Sequence, residues 1–261
     1  MGCGQSFDQY SALLDLPITP RQPPDVPVCP ELVVPPHQQQ WGFILKPAMF
    51  SATGNDFNIL NQLGQPVAIV RGKYFSLHDK QMILNASGLP LLQMEKKLFG
   101  VHHTYYLKDP INGMTIATIR SRLSLFTPIY ELYRGEDYDN PQNFIWRMQG
   151  DFFSMRYSIL DLNGPIARAE ANPFTQFNNF GINGFNYNET YFVEVASGVE
   201  SILVLAMCLV ADEVRAEEMR RREEQRRQRA AEANTFAYGG GVAYTNTNNN
   251  NTNGVYVKVR V

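Results

Sequence analysis

Through the middle of the chain, apolar and polar residues follow the short period of β-structure. Val67-Ala68-Ile69-Val70, Tyr74-Phe75-Ser76-Leu77 and Thr115-Ile116-Ala117-Thr118-Ile119 carry the β-branched and aromatic residues and the two-residue alternation that put successive side chains on opposite faces of a strand. Turn residues punctuate these runs at short intervals: Gly64-Gln65-Pro66, Ser87-Gly88-Leu89-Pro90, Asn112-Gly113 and Asn163-Gly164-Pro165. Short strands with such regular punctuation predict a sandwich or barrel over residues 41–192. An internal repeat favours the barrel. RGKYFSLHDKQMILNASGLPLLQMEKK aligns with QGDFFSMRYSILDLNGPIARAEAN, each with a glycine, an aromatic pair, a serine, an Ile-Leu strand, an Asn-containing glycine turn and a proline. Two copies of one meander are what a barrel built by duplication leaves behind.

The pattern changes after residue 193. From Val199 to Val210 the chain is apolar on nearly every side, and it then becomes ADEVRAEEMRRREEQRRQRAAEA. Residues 193–233 are expected to be helical. A helix apolar all round is either buried or spans a membrane. Length decides between the two. Eleven uncharged residues separate Glu200 from Asp212, about 16 Å of helix, whereas a bilayer core of roughly 30 Å needs ~20 residues. A core helix at 197–211, threaded through the barrel, is the expected arrangement. After Ala211 come seven arginines and seven acidic residues, spaced for the i,i+3 and i,i+4 pairs of a solvated helix and without the apolar seam of a coiled coil. Residues 234–254, rich in glycine and asparagine, are expected to be disordered. The last seven residues, Val255 to Val261, alternate like a strand with no assigned role.

The chain opens Met1-Gly2-Cys3-Gly4-Gln5-Ser6. Gly2 fits the N-myristoylation pattern, and Cys3 beside it is placed for S-palmitoylation. One myristoyl chain binds a bilayer with a constant on the order of 10⁴ M⁻¹, and a second acyl chain makes anchoring stable. The plain alternative is an unmodified end. Eight prolines lie between Pro17 and Pro36. They predict an extended, polyproline-like spacer over residues 1–40, outside any sheet. Within it, Arg21-Gln22-Pro23-Pro24-Asp25-Val26-Pro27 fits the basic-x-x-Pro-x-x-Pro form read by SH3-type grooves, with a spacer of no ligand role as the other reading.

Composition narrows the function. Net charge is −2, so no global basic field draws nucleic acid, and any attraction to an anionic surface is local. Three cysteines and the lack of a secretory signal after Met1 fit a reducing compartment. The expected location is the cytosolic face of a membrane, the plasma membrane first, with membrane lipids as partners through the acyl chains. P-loop, GxSxG, HExxH and CxxC motifs are missing, and the four histidines, His37, His78, His102 and His103, form no ligand set. No enzyme, metal or cofactor is expected. Arg71 and Lys73 share one strand face, and Lys96 and Lys97 follow in the same repeat. These four are the candidate donors for an anionic phospholipid, phosphoinositides included. The competing reading is a set of scattered, solvated basic residues.

DFNILNQLGQPVAIVRGKYFSLHDKQMILNASGLPLLQMEKK resembles the core of the LURP-one-related family, and YFVEVASGVESILVLAMCLVADEV is similar to that family's C-terminal hydrophobic helix. The resemblance covers about residues 41–214. It implies the tubby-like fold: a mainly β, closed twelve-stranded barrel around a buried C-terminal hydrophobic helix. The superfamily includes phospholipid scramblases, which NNFGINGF resembles faintly. Where scramblases place acidic residues for calcium, this chain has Asn178, Asn179 and Asn183. The LURP-one-related family has no established catalytic residues to carry over. The expected organisation is a lipidated N-terminus and spacer at 1–40, the barrel at 41–214, a charged helical extension at 215–233 and a tail at 234–261. The expected function is a membrane-tethered, non-catalytic binding or adaptor module. Scramblase-like lipid translocation and soluble scaffolding are the alternatives.

Overall fold

The computed structural model describes residues 16–38, 40–47, 56–72, 80–122, 129–151, 156–171 and 190–239. Twelve strands among them form one ring: β1 (Gln40–Pro47), β2 (Phe57–Asn61), β3 (Pro66–Gly72), β4 (Lys80–Asn85), β5 (Pro90–Lys96), β6 (Thr104–Lys108), β7 (Thr115–Arg122), β8 (Ile129–Arg134), β9 (Phe144–Asp151), β10 (Arg156–Asp161), β11 (Gly164–Ala171) and β12 (Tyr191–Ala196). Each is antiparallel to its sequence neighbour, and β12 closes on β1 with Gln40 opposite Ala196 and Leu45 opposite Tyr191. Closure removes the free edges that an open sheet would offer for aggregation. The expected mainly β, twelve-stranded barrel is the observed architecture. The two copies of the sequence repeat form the β4–β5 and β10–β11 hairpins, six strands apart in the ring. Both shift register at matching places, between Ile83 and Leu84 and between Ile159 and Leu160.

Helix α1 (Ser201–Gly239) fills the barrel with its first three turns. Residues 201–211 and Val214 are all buried, against Ile59, Val70, Leu92, Leu107, Ile119, Leu132 and Val193 from the strands. Burying each leucine, isoleucine or valine contributes roughly 1.5–3 kcal/mol relative to exposure. About 16 Å of apolar helix matches tilted strands of five to eight residues at ~3.3 Å per residue. Two boundaries differ from expectation. Residues 193–196 are strand, because Val193 and Val195 continue the inward alternation of β12 between β1 and β11. At its other end α1 runs past 233 to Gly239.

Composition predicts an extended spacer for the proline-rich segment; it instead lies on the barrel, with a 3-10 turn at Pro30–Leu32 and a β-bridge from Val33 to Glu200. Thr19 N–H donates to the Pro165 carbonyl at 2.9 Å, Arg21 N–H to Ser197 at 2.8 Å, and Val34 N–H to Val199 at 3.1 Å. Cys29, Leu32 and Val34 are buried in the core beneath this strap. Apolar residues spaced among the prolines are what tie it down. Gly198 is required where the strap crosses: its φ is +76°, and a Cβ there would lie 1.7 Å from the Arg21 carbonyl oxygen.

The polypeptide divides into the units Met1–Ala216 and Glu217–Val261. In the second unit, the described residues are the charged part of α1. Its ion pairs, Arg222 with Glu218 and Arg227 with Glu223, have i,i+4 spacing and are worth ~0.3–0.5 kcal/mol each. Gly2, Cys3, Lys73, the segment with Asn178, Asn179 and Asn183, and the tail beyond 239 lie outside the described residues.

Candidate functional site

The three described members of the predicted basic cluster do not converge. Arg71 points outward from β3, with Nη1 3.2 Å from Asp56 Oδ2. Lys96 points into the barrel mouth, where its Nζ lies 3.7 Å from Glu213 Oε1 and 5.8 Å from the centre of the Tyr105 ring. Lys97 is exposed on the outside and donates to Tyr138 Oη at 3.1 Å. Lys96 faces the barrel mouth and Lys97 the outside, so the two cannot serve one head group. The strap holds Arg21 in a fork on Asp161, at 2.5 and 2.8 Å. Pro23, Pro24 and Val26 line a cavity of about 960 Å³ shared with Trp146. An acidic residue and a tryptophan are thus supplied to this motif by its own barrel.

Basic groups do meet on the outer wall of β7, β8 and β9. Glu131 is an outward residue of β8, yet its side chain is only 2% exposed, beneath Arg122 at 57% and Arg147 at 48%. Arg122 Nε donates to Glu131 Oε2 at 2.5 Å, and Arg147 Nε and Nη2 donate to Oε1 at 3.1 and 2.7 Å. Tyr133 Oη donates to Oε2 at 2.5 Å and accepts from Arg122 Nη2 at 2.9 Å. Burial opposes ionisation of Glu131, but the bonds from Tyr133, Arg122 and Arg147 outweigh it and hold its pKa below the ordinary glutamate value. The same bonds, from Tyr133 first and then Glu131, raise the pKa of Arg122. The cluster is two cations on one carboxylate, a net charge of +1.

A loop, residues 135–143, forms the other side of the cleft. Gly135 N–H donates to the Ile116 carbonyl at 2.8 Å, and Thr118 Oγ1 donates to the Gly135 carbonyl at 2.6 Å, which folds the loop back along β7. Arg120 then stacks on the Tyr138 ring at 4.6 Å and pairs with Asp139 at 3.0 Å. The space between loop and wall is about 710 Å³, and Asp161 and Leu162 border it at the end of the barrel where α1 begins. That volume is in the range of small-ligand sites. Sequence reasoning did not bring Arg122, Glu131 and Arg147 together. The available signal was Glu131 inside the strand Ile129-Tyr130-Glu131-Leu132-Tyr133, since a buried carboxylate in such a run needs cationic partners. Among the described residues, no group of three or more His, Cys, Asp or Glu side chains gathers as a metal site, and no helix is long and apolar enough to cross a membrane.

A closed antiparallel barrel with its own helix as core and a charged cleft outside defines the structural class. The family model described as LURP-one-related matches residues 42–212. The chain belongs to the LURP-one-related family. It is 21% identical over 170 residues to the uncharacterized protein YxjI of Bacillus subtilis (strain 168), covering 65% of this chain and 91% of that protein. An X-ray structure of a protein from Arabidopsis thaliana superposes with a TM-score of 0.51 at 15% identity, over 73% of this chain and 99% of that one. The latter likeness concerns the fold alone.

Proposed function

We propose that this barrel is a membrane-tethered, non-catalytic binding module, and that its outer-wall cleft takes an anionic group of the kind carried by phosphorylated lipid head groups. The observation that supports this reading is the Arg122–Glu131–Arg147 cluster. Each guanidinium has five N–H donors, and the bonds to Glu131 and Tyr133 engage two nitrogens of each. Both side chains are about half exposed and line the cleft, so they are pre-organised by a buried carboxylate while keeping donors for an incoming anion. Because α1 occupies the interior, the hollow that some barrels use for a ligand is filled, and recognition falls to the outer wall. Acyl chains on Gly2 and Cys3 would keep the cleft at the membrane.

Two experiments test this. Gly2→Ala is expected to move the protein from the membrane to the soluble fraction, and Cys3→Ser to weaken anchoring. Unchanged fractionation of Gly2→Ala removes the tether. For the cleft, unacylated full-length protein is sedimented with phosphatidylcholine vesicles with and without phosphatidylinositol bisphosphate. Extra binding to the phosphorylated lipid should fall about tenfold in Arg147→Gln, fall with added salt, and persist in Arg71→Gln. Equal binding by wild type and Arg147→Gln would take the cleft out of the account.

A further inference from the structure

The end of the barrel where α1 begins, the proximal rim, carries four hairpin turns built on one plan. Asn61 Oδ1 accepts the N–H groups of Leu63 and Gln65 at 2.9 and 3.0 Å, and Asn85 Oδ1 accepts those of Ser87 and Leu89 at 3.0 and 2.9 Å. Asp109 Oδ1 accepts from Ile111 at 2.7 Å, and Asp161 Oδ1 accepts from Asn163 at 2.7 Å. Further backbone bonds hold Gly64, Gly88 and Gly113, and the Asn112 side chain holds Met114 N–H at 2.8 Å. Most of the turn N–H groups are thus satisfied within each turn. At their tips stand Leu63, Leu89, Ile111, Met114 and Leu162, between 63% and 91% exposed.

Charge is absent from these tips. Residues 62–65, 86–89, 110–114 and 162–163 contain no Asp, Glu, Lys or Arg. The charged connection at this rim, residues 135–143, is drawn back along the outer wall by Arg120 and Lys97. Asp161 is neutralised by Arg21. Beside the tips stand the exposed charges Asp25 and Glu31 on the strap and Arg134 at the end of β8, with Asp109 at the base of the Ile111 turn; Val26, next to Asp25, is itself exposed. Scattered exposed leucines need no explanation. Five aliphatic side chains on separate, uncharged, internally bonded projections around one ring are a different case.

We infer that the proximal rim is the surface that rests on the lipid bilayer, with these five side chains entering its interfacial region. The inference relies on the membrane reading above and adds which face meets the lipid. A bilayer fits better than a protein partner because the tips are projections separated around a ring, which a fluid plane can meet together, whereas a protein would need a matching socket for each. Desolvating the tips is cheap: the tip residues themselves carry no charge, and most of the turn N–H groups are already bonded. Apolar burial is the driving force, so binding should need no anionic lipid. The strap that leads to Gly2 joins the barrel at this rim, through Thr19 and Arg21. The 15 residues before Leu16 reach at most about 50 Å, enough to bring an acyl chain to the plane of the tips.

The test uses full-length protein prepared without acylation, mixed with pure phosphatidylcholine vesicles, beside acylated protein on the same vesicles. Wild type should partition measurably. Leu63→Ser/Ile111→Ser/Leu162→Ser should lose about tenfold or more, equivalent to 1.4 kcal/mol per decade, with its melting temperature unchanged because all three sites are exposed. Phe99→Ser/Val101→Ser, in the exposed loop at the opposite rim, should bind as wild type. A second readout is Leu63→Trp and Phe99→Trp, each with Trp41→Phe and Trp146→Phe, of which only the first should be quenched by brominated lipid. No binding by unacylated wild type, or equal binding by the triple variant, overturns the rim assignment, while the acylated arm reports the tether separately. A dimer abolished by the triple substitution, without vesicle binding, would give the rim to a second copy of this chain and also overturn it.

Discussion

Where α1 begins, Ser201, Ile202 and Leu203 are already buried, and the chain seals that end with backbone: Val34 accepts from Gly198 N–H and donates to the Val199 carbonyl, and Cys29 N–H donates to Glu200 Oε1 at 2.6 Å. At the opposite end the same helix turns charged, and the barrel meets it with side chains. Phe57, Gln81, Tyr105, Tyr130, Tyr157 and Tyr191, one from each even-numbered strand, are buried in a single layer. Tyr191 Oη donates to Asp212 Oδ1, Arg215 Nη2 donates to the same oxygen at 3.1 Å, and Gln81 Nε2 donates to Glu213 Oε2 at 3.0 Å. Among the described residues, one end is closed by apolar packing and four turns with uncharged tips, the other by a polar aromatic collar. The second lets the helix pass from apolar to ionic sequence.

The comparison breaks most completely at the helix itself. Leu205→Arg would bury an unpaired charge and should abolish folding, while Leu205→Ala should cost ~2–5 kcal/mol in urea unfolding through the cavity it leaves. Met219→Ala, on the exposed part of α1, should change stability by less than ~0.5 kcal/mol. Similar losses at both positions would mean that the apolar turns are not the core.

The collar and the strap come next. Asp212→Ala removes the acceptor of both Tyr191 and Arg215 and should cost ~1–3 kcal/mol without altering vesicle binding. Gly198→Ala meets both a left-handed φ and the Arg21 carbonyl, and should cost ~1–3 kcal/mol. Its distinctive sign is faster proteolysis within residues 22–28 as the strap lifts. A strap that stays resistant would contradict the crossing described.

The smallest effect concerns pH, and the two buried glutamates have opposite signs. Burial raises the pKa of Glu200, against the opposing bonds from Cys29 and Val28. A raised carboxylate favours the protonated folded state, so its contribution is present below the ordinary glutamate pKa of about 4.3 and is lost as pH rises through the higher folded value. Glu200→Gln keeps an oxygen for Cys29 N–H and should be more stable than wild type at neutral pH. Glu131, with its pKa lowered, contributes above that same ordinary value and loses its contribution as pH falls through the lower folded one. Urea unfolding of Glu200→Gln and Glu131→Gln across pH 3–8 separates the two signs.

The barrel and its core helix were legible because period and length are local properties of sequence: β-type alternation in β3 and β7, and an apolar run too short for a bilayer. The start of α1 was misplaced because Val193 and Val195 are apolar in either element, and only pairing with β1 and β11 makes them strand. The strap was read as a free spacer because proline density hides the few apolar residues, Cys29, Leu32 and Val34, that bury it. The cleft was not legible. Arg122, Glu131 and Arg147 lie on three strands, and it is cross-strand register, with Glu131 opposite Arg147, that joins them.

Hydrogen exchange on the acylated full-length protein, free and bound to phosphatidylcholine vesicles, tests the central claim that the helix stays in the core while the proximal rim meets the lipid. The account predicts slow exchange at 201–211 in both states, with new protection on vesicles confined to the turns at 62–65, 86–89, 110–114 and 162–163. Loss of protection at 201–211 on vesicles, or new protection at 97–103 instead of the turns, would contradict it.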